Sequence, residues 1–505
     1  MEREQFHSRS SFILASIGSA VGLGNALRFP GLCALYGGGA FLLVYTGAIV
    51  LIGIPILCME IALGRQKKTG VPGVLRSIFP KGEWVGWAST ANSFVISTYY
   101  GVIFAWILLM VFAVIPVGGM DTHEASHYFL ERVIQSTDSV SLNNGGWKIP
   151  LWLLVALAAG WGMIYYCIRN GAASVSKVVK YTVIAPVLLL LILAVRSVFL
   201  PNTIDGLKAL FVPDWSALKN PHLWINAIGQ VFFSMSIMMG VMFAYGSFVG
   251  EDSNIALDSL IIAGADLAVS LLSAIVLFTT MYGFDIEIDT ASSMGIAFSM
   301  YPVAFTQMTT FPWLNAAFGM VFYLALASLA IDSAFSMIEA VSTPLADTFG
   351  KSKQKITIGV TIAAVIGSLF FATRAGYSWL NIVDNWANTF NIVVIGFLEC
   401  VIIGWLYSPA QVLEQVNRNT GKYRMPRWWF IGGIRYLAPF LLAAFLGWQM
   451  SGMIQNGLRY ESYPLYAQAV GGWLVSGLVF LSGFIVNALR RNLAAREQRS
   501  GKKRV

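Results

Sequence analysis

Five acidic side chains, Glu60, Asp266, Asp332, Glu339 and Asp384, stand within or at the ends of strongly apolar runs. A carboxylate at membrane depth is costly and needs a partner, a cavity or the headgroups nearby. Each of the five is therefore a structural ion pair, a helix-end residue or part of a ligand site. Asp332, followed by Ser333 in the middle of an apolar run, points to cation ligation. Carboxylate, hydroxyl and freed carbonyl oxygens suit a hard cation, whereas soft ones take thiolate or imidazole, so sodium fits better than zinc or copper.

Freed carbonyls have a source in residues 18–30, which read GSAVGLGNALRFP where a spanning helix is expected. Gly18, Gly22 and Gly24 weaken a helix, and Asn25 and Arg28 do not suit a lipid-facing surface. Backbone released at membrane depth persists only where it is buried in protein or lines a cavity. The stretch is expected to be a broken helix that holds a ligand. Gly18 and Gly22 also make a GxxxG, but the helix-packing reading of that motif leaves Asn25 and Arg28 unexplained. A second irregular stretch, GQVFFSMSIMMG at residues 229–240, hints at another interruption through Gly240 and two serines. Interrupted spans in two halves of a chain point to a transporter binding site.

The elements that must carry these residues follow from composition. The chain has 505 residues, 57% hydrophobic and 11% charged, against about 25% charged in ordinary soluble domains. It reads as a polytopic membrane protein. At about 20 apolar residues per span, twelve helices are expected, centred near residues 22, 52, 103, 158, 188, 236, 271, 330, 363, 394, 441 and 478. Of the 33 Lys and Arg, 24 then fall on the side of the termini, 7 on the other side, and Arg28 and Arg435 within helices. By the positive-inside rule both termini are cytoplasmic. The first apolar run leads straight into the glycine-rich stretch without a small-residue cleavage site, so the N-terminus is expected to be retained.

Other chemistry finds little support. The net charge of +8 comes from basic residues scattered in short loops, not the basic face that nucleic acid requires. Cys33, Cys58, Cys167 and Cys400 are too widely spaced to suggest a disulfide framework or metal site. His123 and His127 lie in the longest outer loop, about residues 118–147, which is expected to carry a short helix over residues 124–134. Lacking a third ligand, they read as an exposed face. No HExxH, GxSxG or Cys/His cluster marks a membrane enzyme. The tail from residue 490 is basic and polar, suited to the surface of an anionic leaflet.

Six ordered motifs give the chain a resemblance. These are residues 18–30, GGGAF at 37–41, GIP at 53–55 followed by Glu60, the Tyr99-Tyr100 pair, GQVFFS at 229–234 and AIDSAF at 330–335. From about Arg3 to Tyr407 the sequence resembles the neurotransmitter:sodium symporter family, including bacterial amino-acid transporters of the leucine-transporter type. The resemblance implies an all-α polytopic fold of about 12 transmembrane helices with a 5+5 inverted repeat, in which helices 1 and 6 are broken. The expected divisions are an N-terminal segment at 1–10, a first repeat at 11–200, a second at 201–407, helices 11 and 12 at 408–489, and a basic tail at 490–505.

By the same resemblance, one sodium ion would take the Ala20 carbonyl, Asn25, Ser234 and Asp266. A second would take the carbonyls of Gly18, Val21 and Leu329 with Asp332 and Ser333. Substrate would sit among Ala20, Leu23, Gly24, Ile96, Tyr100, Phe233, Ser234, Ser236, Met239, Ser333 and Met337, its carboxylate on the Leu23 and Gly24 amides and the Tyr100 hydroxyl. Arg28 with Asp384, above a Phe233–Tyr100 lid, and Arg3 with Asp347 near Ser247 would act as gates. Amine-transporting relatives carry an aspartate where this chain has Gly22, so an amino acid is expected, and the mostly apolar pocket side chains, without an acidic or basic group, imply a neutral, hydrophobic, aliphatic one. Chloride-dependent relatives match Tyr45, Gln230, Ser234 and Ser270 but have asparagine at the position of Asp266, so transport should not need chloride.

The resemblance further implies sodium as the inorganic cofactor with no organic one, a plasma-membrane location such as a bacterial inner membrane, and a monomer or weak homodimer in the bilayer. Three departures bear on mobility. Met238 stands where the family often has glycine, Phe248 replaces a tyrosine at the inner gate, and Ser176 occupies the place of a fifth-helix glycine ten residues before Pro186. A channel or a non-transporting receptor on the same fold would share the motifs without coupled uptake.

Overall fold

The fold is described from a computed structural model that covers residues 5–137, 139–286, 293–421, 423–455 and 463–501. Among these residues ten helices are long and apolar enough to cross a membrane, and a bent pair adds an eleventh span. A helix interrupted near its middle makes the twelfth. Numbered along the chain, span 1 is Arg9–Ala20 with Gly24–Leu35, span 2 Gly39–Lys67, span 3 Pro80–Ala113, span 4 Leu151–Ile168 and span 5 Ala172–Val198. Span 6 is Pro221–Ser234 with Val241–Ser247. Spans 7 to 12 are Ile255–Phe284, Pro312–Phe349, Lys353–Phe371, Gly376–Leu406, Arg427–Gln455 and Leu465–Arg490. Each expected helix centre falls within the corresponding span. Beyond span 12 the backbone stays helical as far as Gly501.

Both interruptions follow from local chemistry. Span 1 starts on Ser8, whose hydroxyl accepts from the Ser11 N–H at 3.2 Å, and stops at Val21, whose ψ of 93° turns the chain out of the helix. Its two segments differ in direction by 49°. Span 6 starts on Asn220 and Pro221, the Asn220 side chain accepting from the His222 N–H at 3.0 Å. It then loses helical form over residues 235–240, where Ser236, Met238 and Gly240 have φ of 51°, 64° and 74°. Only Gly240 adopts that left-handed region without a Cβ penalty. Span 5 is interrupted at Val183, not near Ser176, which is helical and donates its hydroxyl to the Ala172 carbonyl at 2.7 Å.

Close helix packing frames the breaks. Spans 3 and 8 run along one another, and the second half of span 6 lies against span 2. There an ideal Cβ on Gly246 would come within 2.5 Å of the Ile61 carbonyl, and one on Gly64 would strike the Phe243 carbonyl. Small residues at these two positions allow backbones to meet. The outer loop forms the expected short helix as Thr122–His127, continued by a wider turn over Tyr128–Val133. Asp121 and Glu124 cap it reciprocally, and the His127 ring nitrogen lies 3.3 Å from Glu131.

Candidate functional site

The two breaks lie side by side and enclose a narrow pocket. Span 1 contributes Ser19, Ala20, Gly22, Leu23, Gly24 and Asn25, and span 6 contributes Phe233, Ser234, Ser236 and Met239. Ile96 and Tyr100 close it from span 3, Ser333 and Met337 from span 8. All eleven residues expected around a substrate thus share one pocket, with Ser19, Gly22 and Asn25 added. The breaks are tied together by the Ser236 hydroxyl, which donates to the Ser19 carbonyl at 2.7 Å, and by Gln230, whose Nε2 donates to the Gly24 carbonyl at 2.9 Å.

On one side of the pocket, Asp266 of span 7 is fully buried and collects three donors. Asn25 Nδ2 reaches its Oδ1 at 2.7 Å, and the Tyr45 and Ser234 hydroxyls reach its Oδ2 at 2.9 and 3.3 Å. Asn25 Nδ2 also lies 2.8 Å from the Ser270 hydroxyl. Of the expected first cation set, Asn25, Ser234 and Asp266 are thus joined by hydrogen bonds, with Tyr45 and Ser270 as outer supports, and Ala20 lines the same pocket as Asn25 and Ser234.

On the other side, Asp332 of span 8 is 1% exposed, and its Oδ1 has no hydrogen-bond partner. A buried carboxylate oxygen left unsatisfied calls for a ligand. An ideal Cβ on Gly18 would come within 2.6 Å of Asp332 Oδ2, so only glycine lets this carboxylate approach span 1. The Gly22 N–H donates to Asn25 Oδ1 at 3.1 Å, which releases the Gly18 carbonyl from the helical ladder. Val21 stands at the turn itself, Ser333 follows Asp332, and Leu329 lies buried one turn earlier on span 8. Carboxylate, hydroxyl and main-chain oxygens of this kind fit a hard monovalent cation.

Between these clusters, the Tyr100 hydroxyl lies beside the Leu23 amide and the Ser333 hydroxyl. A Cβ on Gly22 would point at the Ser333 hydroxyl, with the Tyr100 hydroxyl 3.7 Å away. An aspartate at this position would thus project into the pocket. Above it a vestibule of ≈ 740 Å³ shares Leu23, Gly24, Ile96, Tyr100 and Phe233 with the pocket and also contains Arg28 and Asp384. The Arg28 guanidinium stacks 5.5 Å from the Phe233 ring centre, and Asp384 accepts from Asn388 Nδ2 at 2.7 Å. Arg28 and Asp384 face one cavity without a direct ion pair between them among the described residues.

The opposite end of the bundle is plugged. Phe6 packs edge-on against Tyr245 and Phe248 at 5.7 and 6.0 Å, and its N–H donates to the Phe248 carbonyl at 3.2 Å. Arg3, the expected partner of Asp347, lies outside the described residues. Asp347 accepts from the Thr69 hydroxyl at 2.9 Å and the Gly70 N–H at 3.0 Å, while Ser247 donates back to its own helix at Ala244. Glu339 forms a buried ion pair with Lys353, whose ammonium lies 4.0 Å over the Phe248 ring. A cation at this end is thus held on a phenylalanine face, which needs no hydroxyl.

Glu60 has a different task. Its Oε1 accepts the Met238 N–H at 2.7 Å, while the Ser89 and Ser93 hydroxyls of span 3 take the Met238 and Met239 carbonyls at 3.0 and 2.7 Å. Sequence reading missed Glu399, a fully buried residue of span 10 on which Glu60 acts electrostatically. Its place in the run GFLECVIIGW is the same signal that singled out the other five.

A helical bundle with two broken spans around buried carboxylates has the construction of a secondary transporter. Comparison with known proteins makes the class specific: a model of the sodium:neurotransmitter symporter family matches residues 3–117 and 117–491, and the chain belongs to that family. It is 32% identical to an uncharacterized sodium-dependent transporter of Methanocaldococcus jannaschii, over 97% of this chain and 98% of that one. It is 28% identical to the sodium-dependent neutral amino acid transporter B(0)AT3 of Mus musculus, over 92% and 87%. Among solved structures it is similar to MhsT in complex with L-phenylalanine, with a TM-score of 0.74 and 28% identity over 88% of this chain and 99% of that one. The protein is a sodium-dependent transporter, not an enzyme.

Proposed function

We propose that this chain imports a neutral, hydrophobic, aliphatic L-amino acid together with two sodium ions, by alternating access. The observation that carries the reading is one pocket lined by both helix breaks, by Asn25 and Ser234, which hydrogen-bond Asp266, and by Ser333, the neighbour of Asp332. The first ion sits at Ala20, Asn25, Ser234 and Asp266, the second at Gly18, Val21, Leu329, Asp332 and Ser333. Leu23, Gly24 and Tyr100 hold the substrate carboxylate, since amides at a helix start favour an anion. Ile96, Phe233, Met239 and Met337 surround the side chain, with no acidic or basic group aimed at it. The open vestibule and plugged opposite end correspond to a state that receives substrate from outside, with both termini cytoplasmic in a bacterial inner membrane. Closure brings Arg28 to Asp384 above Phe233 and Tyr100, and sodium biases the exchange between states. Spans 1–5 and 6–10 act as inverted repeats, and the transporting unit is a monomer or weak dimer.

A panel of unlabelled amino acids competing for sodium-dependent binding tests this. Leucine, isoleucine, valine and methionine are expected to displace label, with phenylalanine as the size probe and amines inactive. An absence of saturable competition by every amino acid would reject the reading.

Chloride is not required, because Asp266 already places a carboxylate among Tyr45, Ser234 and Ser270, where a mobile anion would be repelled. Uptake into proteoliposomes should be unchanged when gluconate replaces chloride. Loss of sodium-driven uptake in gluconate sinks this part of the proposal while leaving the amino-acid assignment standing.

A further inference from the structure

Spans 10 and 11 leave an apolar cleft of ≈ 650 Å³ on the outside of the bundle. Phe397, Val401 and Trp405, spaced four apart, form one wall, and Gly432, Arg435 and Phe440 form the other. Arg435 is the exception in an otherwise apolar lining. It lies eight residues into span 11, about 12 Å from the start of that helix at 1.5 Å per residue. An arginine at such a position is expected to pair, to face a cavity or to reach the headgroups.

Its surroundings leave the charge uncompensated. The guanidinium carbon lies 5.0 Å from the Trp405 ring centre and 5.8 Å from that of Tyr436, and Trp405 Nε1 donates to the Arg435 carbonyl at 2.8 Å. Arg435 Nε is buried without a hydrogen-bond partner. Among the described residues no carboxylate pairs with Arg435. Two aromatic rings orient a guanidinium but do not neutralise it. Exposed Trp405, Trp428 and Tyr436 form the kind of aromatic belt that marks the membrane–water boundary. Arg418, Lys422, Arg424 and Arg427 lie between the two walls in sequence, a basic run of the sort that draws anionic lipid to a surface.

We propose that this cleft binds one anionic phospholipid from the leaflet adjoining Arg427. The phosphate is held by the Arg435 guanidinium, whose planar fork suits bidentate contact with phosphate oxygens. An acyl chain lies between Phe397 and Val401 on one side and Phe440 on the other. The basic run raises the local concentration of such lipids, and Arg435 selects for the headgroup charge.

Native mass spectrometry of the purified full chain, titrated with phosphatidylglycerol or phosphatidylcholine, tests the site. The wild type should retain one phosphatidylglycerol at about fivefold lower concentration than phosphatidylcholine, the ratio expected for one basic group at a membrane surface. Arg435→Gln should abolish that preference. Gly432→Phe should lose retention with the arginine intact, because the direction of its new side chain is open space and the ring fills the cleft. Sodium-dependent amino-acid binding reports folding of both variants, and if Arg435→Gln fails to fold the cleft-filling variant carries the test. Equal retention of the two lipids by the wild type, or wild-type phosphatidylglycerol retention in either folded variant, would overturn the proposal.

Discussion

Exchanging Asp332 for asparagine is expected to raise the sodium concentration for half-maximal substrate binding by about two to three orders of magnitude. Two unit charges about 4 Å apart at an effective dielectric of 20 attract by about 4 kcal/mol, and asparagine keeps the shape while removing that term. The effect should be large because the protein gives this carboxylate little support: Asp332 is buried, its Oδ1 has no hydrogen-bond partner, and its other support is a hydrogen bond with the Thr182 side chain. Asparagine instead brings two donors to the proposed cation site. Sodium titration of equilibrium substrate binding reads the change, with thermal stability measured in parallel. A half-saturation point within threefold of wild type, in a variant that folds normally, would remove Asp332 from the ion site.

The second large effect concerns Glu60. Glu60→Leu should reduce uptake at least about tenfold and lower stability by about 1–3 kcal/mol, the usual cost of a buried donor left unsatisfied. The donor is the Met238 N–H, and Met238 is held at a φ of 64°, a region that non-glycine residues adopt reluctantly. Without its acceptor the break in span 6 has less reason to keep that shape, and Met239 beside it lines the pocket. Glu60→Gln preserves an acceptor and should stay within about threefold of wild type. Comparison of melting temperature and uptake across both variants separates the lost hydrogen bond from lost charge. Equal damage by Gln and Leu would show that the carboxylate's charge, and not its grip on Met238, is what matters.

These two residues illustrate what could be read from the chain beforehand. Twelve spans were legible because apolar length alone identifies them, and the first break was legible because glycine, asparagine and arginine violate that pattern over a few consecutive residues. The second break was legible only in outline. Its turning residues include Ser236 and Met238, which carry no local sign of a left-handed backbone, and their partners lie far earlier in the chain: Ser89 and Glu60, 149 and 178 positions before Met238, and the Ser19 carbonyl, 217 positions before Ser236. Such tertiary hydrogen bonds override local propensity and leave no periodic trace. The pocket residues came from motif resemblance, since Ile96, Met239 and Met337 would otherwise pass for ordinary core. Glu339 shows the converse limit: its sequence setting looks like that of Asp332, yet Lys353 occupies it.

The break in span 6 is fastened from behind. Glu60, Ser89 and Ser93 hold main-chain atoms of residues 238 and 239, while the side chains of Ile96, Met239 and Met337 face the pocket. Frame and lining are therefore separate inheritances. Mutation can drift through the lining, enlarging or narrowing it for a different substrate, without disturbing the polar joints that keep the chain unwound. A change of substrate then needs only a few apolar side chains exchanged, while the joints that shape span 6 stay the same.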